Sequence, residues 1–218
     1  MSQIFHRRAN TVARISLFVV ISLLVGLAAI AYLLINSPVV TGVRIARTQP
    51  VAYSHALHVG ELGLDCRYCH TPVEVSNTAG IPPTETCMGC HAEIAPDSLA
   101  LAPVRNSYAQ NKPIEWVRVH NLPDYVYFNH AIHVKQGVGC ETCHGRIDQM
   151  PVVAKTESMQ MSWCLDCHRN PENHIRPRDA VLTMGWTAPT DQAEMGSTLV
   201  AEYGIEKARL MDCSVCHR

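Results

Sequence analysis

Five short segments of this sequence share the pattern Cys-x-x-Cys-His, and together they use all ten cysteines of the chain. Two thiols three residues apart lie on one side of a helical turn, where both can add to the vinyl groups along one haem edge. The next residue can then bind the iron, so the pattern is the signal for c-type haem attachment. The attaching cysteines would be Cys66 and Cys69, Cys87 and Cys90, Cys140 and Cys143, Cys164 and Cys167, and Cys213 and Cys216. The iron ligands would be His70, His91, His144, His168 and His217.

A single Cys-x-x-Cys could instead belong to a zinc site or to a disulfide. Five copies, each completed by histidine and with no cysteine left over, favour haem. Three Phe and three Trp are few for a conventional core in 218 residues, whereas five porphyrins are large apolar plates around which a short chain can pack. The predicted fold class is a multihaem cytochrome c with little regular secondary structure, in which short helices surround five covalently bound haems c.

The second axial position of each iron decides what a haem can do. The pattern H-A-x-H-V occurs twice, and a spacing of three places both imidazoles on one helical face, from which they can reach different haems. We also expect His120 to be a ligand, and residues 114–120 alternate like a brief strand. The expected distal ligands are His55, His58, His120, His130 and His133, one for each iron. Less favoured candidates are Met161, Met184 and His174, and a methionine ligand would raise the potential of its haem.

An internal repeat organises most of the chain. The stretches SHALHVGELGLDCRYCH and NHAIHVKQGVGCETCH match, and each is followed by a second haem motif. This predicts a dihaem module over 51–95, a linker over 96–125, a second dihaem module over 126–172 and a C-terminal segment over 173–218 with the fifth haem. We expect a helix from Asp191 to Tyr203 that ends at Gly204 and positions that haem. The distal ligand of the fifth haem is expected to come from earlier sequence.

The N-terminal region predicts a membrane anchor. Residues 15–35 carry no charge, and at about 1.5 Å per residue they span the roughly 30 Å hydrocarbon layer. A cleaved signal peptide is the alternative, but the apolar run is longer than a signal core and continues past the possible cleavage site around Ala29. Because Arg7, Arg8 and Arg14 precede the run, we expect 1–14 in the cytoplasm, a single span over 15–36 and the haem domain on the periplasmic face of the bacterial cytoplasmic membrane.

The formal net charge is −1, and no basic stripe appears along the chain. Nucleic-acid binding therefore finds no support in the sequence.

With these motifs in view, the chain resembles the class III type of multihaem cytochrome, and more closely the pentahaem membrane-anchored cytochrome subunit of alternative complex III. The resemblance covers nearly the whole chain and is carried by the single anchor and by AGIPPTETCMGCH, WVRVHNLPDYVYFNHAIHV, SWCLDCHRNPENHIRP and DCSVCHR. A related hexahaem quinone-reductase subunit has one motif more than the five found here.

The resemblance implies an electron-transfer subunit of the respiratory chain, without an enzymatic activity of its own, in a complex that oxidises menaquinol. It implies an iron–sulfur subunit and polytopic quinol-binding subunits as partners, with a monohaem cytochrome c, a copper protein or a terminal oxidase as acceptor. Two alternatives stay open, a multihaem reductase with one open haem and a self-contained quinol dehydrogenase. The five motif histidines and five distal candidates favour the relay, because an iron with two protein ligands can only change its oxidation state.

Overall fold

The computed structural model describes residues 5–189 and 191–217. Residues 1–4 of the predicted N-terminal segment, Thr190 and Arg218 lie outside the described residues. The chain divides into a first unit, residues 1–42, and a second unit, residues 43–218, which contains all five haem motifs. The finer division of the second unit into two modules, a linker and a C-terminal segment stays a prediction.

The first unit consists of the long helix α1, Ala9–Ile35, followed by the short helix α2, Pro38–Thr41. Helix α1 begins at Ala9, earlier than the predicted span, and its 27 residues are about 40 Å long. None of its residues is buried, although most of them are apolar. In the described part of the chain it is the one helix whose length and composition would allow it to cross a membrane.

The second unit is built from short helices. Its α-helices are α3 Cys66–Cys69, α4 Thr84–His91, α5 Ala102–Gln110, α6 His130–Lys135, α7 Cys140–His144, α8 Met161–Arg169, α9 Gln192–Glu202 and α10 Cys213–Cys216. Single 3₁₀ turns lie at Leu99–Leu101, Ile147–Gln149, Pro171–Asn173, Arg178–Ala180 and Arg209–Met211. Isolated bridges join Val43 to Lys155, Val126 to His217 and Val138 to Ile175, and the described residues contain no strand. The predicted fold class is confirmed: short helices, little regular structure and one long apolar helix near the N-terminus.

The strand predicted over 114–120 is wrong, because this stretch has no regular secondary structure and bends at 119–120. The amide of Trp116 donates to the carbonyl of Ile114 at 3.0 Å, a local turn. The side chain of Gln49 pairs with the main chain of Val117: its Nε2 donates to the carbonyl and its Oε1 accepts from the amide, both at 2.9 Å. Val117 therefore has both main-chain groups satisfied without a neighbouring strand.

The two copies of the repeat fold differently because they differ in length by one residue. Four residues separate His58 from Gly63 in the first copy, and three separate His133 from Gly137 in the second. The second copy is the α-helix α6, whereas the first forms a π-helical segment, Ala56–Glu61, which absorbs the extra residue in its wider turn. Both copies then end in the same way, since Gly63 and Gly137 adopt positive φ of 68° and 79°, a conformation that favours glycine.

Each repeat segment docks on the other half of the unit. The start of α6 donates main-chain hydrogen bonds to the loop after the first motif, from His130 to Asn77 at 3.2 Å and from Ala131 to Ser76 at 3.1 Å. In return the amide of Ala56 donates to the carbonyl of Met150 at 3.1 Å, just after the third motif. This reciprocal docking places the start of each repeat segment against main chain that follows a haem motif of the other half.

The helix predicted from Asp191 to Tyr203 is confirmed as α9. Asp191 caps its N-terminus by accepting from the amides of Ala193 and Glu194, both at 3.0 Å. Gly204, just after the helix, has φ of 66°. Gly196 lies on the buried face of α9, where a Cβ atom would overlap the carbonyl of Glu172. The helix therefore packs directly on main chain that follows the fourth motif.

We expect Gly196→Ala to destabilise the second unit by about 2 kcal/mol, because the added methyl must push α9 away from the carbonyl of Glu172. Thermal unfolding of the haem-loaded protein, followed by circular dichroism, would measure the loss. Ser197→Ala is the matched control, since Ser197 is exposed on the same helix. Equal melting temperatures for the two variants would contradict the close packing.

Candidate haem-binding sites

All five Cys-x-x-Cys-His segments lie on short helical turns. The two cysteines of each motif fall within α3, α4, α7, α8 or α10. The motif histidine lies in the last two residues of the helix or, as for His70 and His217, directly follows its last residue. Each helical turn therefore presents its two thiols on one side and the imidazole just beyond them, as covalent haem attachment requires.

The ten cysteines are present as free thiols. In the described part of the chain, no three His, Cys, Asp or Glu side chains converge as a structural zinc site requires. Burial raises the pKa of the Cys143 thiol to about 12 and that of the Cys140 thiol to about 11. These thiols lie in apolar surroundings, which suit attachment to a porphyrin edge.

Four of the five motif histidines are oriented by a main-chain carbonyl. Each places its Nδ1 within hydrogen-bond distance of a carbonyl oxygen, which can only accept. The pairs are His70–Gly80 at 2.7 Å, His91–Ile94 at 3.0 Å, His168–Leu210 at 3.0 Å and His217–Tyr125 at 3.2 Å. Nδ1 must therefore carry the proton, which leaves the lone pair of Nε2 for a metal.

Three of the predicted distal histidines have the same hydrogen bond. His58 donates to the carbonyl of Ser54 at 2.8 Å, and His133 donates to that of Asn129 at 2.7 Å. These two bonds occupy equivalent places in the repeat. The Nδ1 of His130 donates at 3.0 Å to Asn77. These carbonyls fix the proton on Nδ1, which is the tautomer that an iron ligand needs. A histidine that only faces solvent would not require a carbonyl partner.

Ring separations in both modules match a metal held between two imidazoles. A binding nitrogen lies about 2 Å from its metal and about 1.1 Å from its own ring centre. The centres of two rings on opposite faces of one iron are therefore about 6.2 Å apart. The ring centres of His58 and His91 are 6.1 Å apart. Those of His133 and His168 are 6.3 Å apart. In each module, therefore, the second histidine of H-A-x-H faces the histidine of the second motif at the required distance.

The third motif has two imidazoles beside it. His130 and His144 have ring centres 6.5 Å apart and nearly parallel planes. His120 is only 4.3 Å from His144 by the same measure, which is too close for an iron between them. Burial lowers the pKa of His144 to about 3, and the nearby imidazoles of His120 and His130 add to the effect. His144 is therefore neutral, the state in which a nitrogen can bind iron.

Two predicted distal ligands carry a buried nitrogen without a hydrogen-bond partner. They are Nδ1 of His55 and Nε2 of His120. Burial lowers the pKa of both groups to about 4, and the His70 imidazole contributes to the shift at His55. Leaving a buried polar atom without a hydrogen-bond partner costs free energy in a folded protein. A nitrogen that binds a metal does not bear this cost, because the metal takes the place of the partner. Both sites fit a haem iron on the chemistry of their donors.

The last motif contacts earlier parts of the chain. The amide of Tyr127 donates to the carbonyl of Cys216 at 2.8 Å, and the ring of Tyr125 stacks on that of His217 with centres 5.8 Å apart. The bond from His168 to Leu210 holds the segment before the motif. The Tyr125 ring therefore lies beside His217, a predicted iron ligand, and a distal ligand from earlier sequence stays a prediction.

The less favoured ligands lie in less suitable places. The side chain of His174 points Nε2 toward the exposed carboxylate of Asp166 at 3.8 Å. Met161 is 58% exposed at the start of α8, and Met184 is partly buried in the segment between the last two motifs. Their role as ligands stays a prediction.

Two aromatic side chains that the sequence analysis missed hold the H-A-x-H imidazoles. Tyr53 stacks on His58 with ring centres 4.5 Å apart and meets His55 edge-on at 4.8 Å. Phe128 repeats this arrangement, at 4.4 Å from His133 and 4.8 Å from His130. Each aromatic residue lies two positions before the first histidine of its repeat. An aromatic residue at this shared position is the sequence feature that could have indicated the role of Tyr53 and Phe128.

We expect Tyr53→Leu to change the g-values of one low-spin haem, because the leucine no longer fixes the plane of the His58 imidazole. Tyr53→Phe keeps the ring and is expected to leave the spectrum unchanged. Low-temperature electron paramagnetic resonance of the oxidised protein would compare the two variants. Identical spectra for Tyr53→Leu and the unsubstituted protein would show that the aromatic ring has no orienting role.

Comparison with known proteins found two similarities. Residues 126–218 match the family model described as cytochrome c7 and related cytochrome c. The chain is also 29% identical over 150 residues to the menaquinone reductase multihaem cytochrome c subunit of Nitratidesulfovibrio vulgaris. That alignment covers 59% of the chain and 71% of the relative. Both similarities are to cytochromes c, the class of protein in which haem is attached through Cys-x-x-Cys-His.

Proposed function

We propose that this chain is a multihaem cytochrome c, an electron-relay subunit with five covalently bound haems, most of them held by two histidines. The repeated separations of 6.1 Å and 6.3 Å between His58 and His91 and between His133 and His168 carry the proposal. Bound haem supplies a one-electron change of its iron. The chain supplies a ligand on both faces, which excludes oxygen, nitrite and other small molecules from the metal.

The proposed axial pairs follow from ring separation and position in the repeat. His58 serves the second motif and His133 the fourth. His130 serves the third, at a ring distance of 6.5 Å from His144, and His55 serves the first by analogy with His130. His120 is the remaining ligand, supported by its unpartnered Nε2. Tyr53 and Phe128 orient these imidazoles and exclude water from one side of each pair.

We further propose that α1 anchors the protein in the bacterial cytoplasmic membrane, with the haem domain on the periplasmic face. Helix α1 has the length and composition for this, and arginines precede its apolar stretch. The similarity to a menaquinone reductase subunit supports a place in a complex that acts on menaquinone. The resemblance to alternative complex III favours iron–sulfur and quinol-binding subunits as its partners. The resemblance to alternative complex III favours electron flow from menaquinol to a periplasmic cytochrome, a copper protein or a terminal oxidase.

A second candidate function is a reductase with one open haem. The fifth motif favours it, because the ring that stacks beside His217 belongs to Tyr125 rather than to a histidine. In that case one iron would bind a small substrate, while the other four would carry electrons to it.

Carbon monoxide separates these two functions. The intact membrane complex is reduced with dithionite and titrated with carbon monoxide while the Soret band is recorded. A relay with two protein ligands on every iron binds none. Binding of one carbon monoxide per chain would support the reductase and contradict the relay.

Mixing the oxidised complex with menaquinol in a stopped-flow instrument tests the proposed direction of electron flow. The relay predicts reduction of the haems by menaquinol only when the quinol-binding subunits are present. Reduction in the isolated subunit would indicate a self-contained quinol dehydrogenase.

A further inference from the structure

A buried ion pair lies beside the third haem motif. Arg176 Nη1 is 2.8 Å from Oε1 of Glu141, the residue between Cys140 and Thr142 in the motif. The two side chains are only 7% and 13% exposed. Most ion pairs in the described part of this protein lie at the surface, where solvent screens them. A pair so well removed from water acts on its neighbours with much less screening.

The surrounding main chain is shaped around this pair. The carboxylate of Glu141 also accepts from the amides of Gly185 at 2.6 Å and Trp186 at 3.2 Å. Gly139, directly before the first attaching cysteine, leaves space for the guanidinium, since a Cβ atom there would overlap it. The Trp186 ring packs against the guanidinium, with its centre 4.8 Å from Cζ. The two charges are therefore held in place next to the haem-attachment turn.

A buried donor of Arg176 has no acceptor. Its Nη1 bonds to Glu141 and, at 3.2 Å, to the carbonyl of Thr183, whereas Nε is buried without a hydrogen-bond partner. An unpaired donor on a buried cation is costly, and the acceptor that suits it best is a carboxylate. Every haem carries two propionates, so a propionate is the chemical group that this donor would take.

We propose that Arg176 and Glu141 set the reduction potential of the haem attached at Cys140 and Cys143, with Arg176 Nε binding one of its propionates. The inference rests on the proposed haem at this motif. Oxidised haem carries one more positive charge than reduced haem, so a nearby cation favours the reduced form and a nearby anion favours the oxidised form. Loss of either partner leaves the other charge buried and uncompensated.

The test is a potentiometric titration of the haem-loaded complex, followed by visible absorbance and electron paramagnetic resonance. Arg176→Gln is expected to lower the reduced-to-oxidised ratio of one haem about tenfold at fixed potential, a shift of 59 mV for one electron. Glu141→Gln is expected to shift the same haem in the opposite direction. Arg176→Lys keeps the charge and should stay close to the unsubstituted value.

Arg67→Gln is the matched control. Arg67 pairs with Asp65 at 2.9 Å beside the first motif, but these side chains are 49% and 47% exposed, so solvent should screen their effect on the haem. Unchanged potentials in Arg176→Gln would overturn the inference even if the melting temperature fell, since that pattern indicates a purely structural ion pair. An equal shift in Arg176→Lys and Arg176→Gln would also overturn it.

Haem counting separates failure of the inference from failure of the proposed function. Pyridine haemochrome analysis of the unsubstituted protein should give five haems per chain. Five haems with unmoved potentials contradict only the role of Arg176. Four haems, with Cys140 and Cys143 open to alkylation, would remove the proposed haem itself.

Discussion

Replacing His58 with alanine is expected to create one haem that binds carbon monoxide in the reduced complex, where the unsubstituted complex binds none. The ring of His58 faces that of His91 at 6.1 Å, and its Nδ1 is held by the carbonyl of Ser54. Removing this imidazole opens one face of the second haem. Carbon monoxide titration of the reduced complex should then show one equivalent bound per chain, and the oxidised spectrum should lose one low-spin signal.

His133→Ala is expected to give the same result at the fourth haem, since the repeat reproduces the geometry at 6.3 Å from His168. His174→Ala is the control and should bind no carbon monoxide, because His174 faces the carboxylate of Asp166. If His58→Ala stayed inert to carbon monoxide while keeping all of its haems, another residue would hold that position and the proposed pair would be wrong.

The second large effect concerns folding. We expect the chain made without haem attachment to lack a cooperative unfolding transition in its second unit. Few apolar side chains are buried in the described structure: Val51, Val73, Val104, Ala131, Ile175, Val181 and Leu199. Such a small set cannot offset the conformational entropy of ordering a unit of this size, so the porphyrins must supply most of the apolar interior.

The measurement is thermal melting and limited proteolysis of the full chain from cells with and without the haem-attachment system. The haem-loaded chain should melt cooperatively, and the other should be cleaved throughout residues 43–217. A double substitution, Cys213→Ala with Cys216→Ala, provides a graded control. It removes only the tail haem and should leave the two modules protease-resistant. A cooperative transition in the haem-free chain would contradict this account.

Short-range features of the fold could be predicted because their cause lies in adjacent residues. The start of α9 could be predicted because the side chain of Asp191 caps the helix that it precedes. The Cys-x-x-Cys-His turns could be predicted because their spacing matches one helical turn. The end of α1 at Ile35 also agrees with the prediction, although the helix begins at Ala9, before the predicted span. An uncharged apolar stretch of this length is typical of a helix that crosses a membrane.

Other features depend on contacts between residues that are far apart in the sequence, so sequence patterns alone do not predict them. The alternation over 114–120 predicts a strand, but it does not reveal that the Gln49 side chain satisfies the main chain of Val117. The π-helical segment at Ala56–Glu61 becomes understandable only when the two repeats are aligned and the extra residue is counted. The pairing of His58 with His91, and the ion pair of Arg176 with Glu141, required the folded chain.

The most direct test of the central claim is low-temperature electron paramagnetic resonance of the fully oxidised complex, combined with haem counting on the same sample. The account predicts five haems per chain, all low-spin, because each iron has a protein ligand on both faces. A high-spin ferric signal that accounts for one haem per chain, or fewer than five haems, would contradict it.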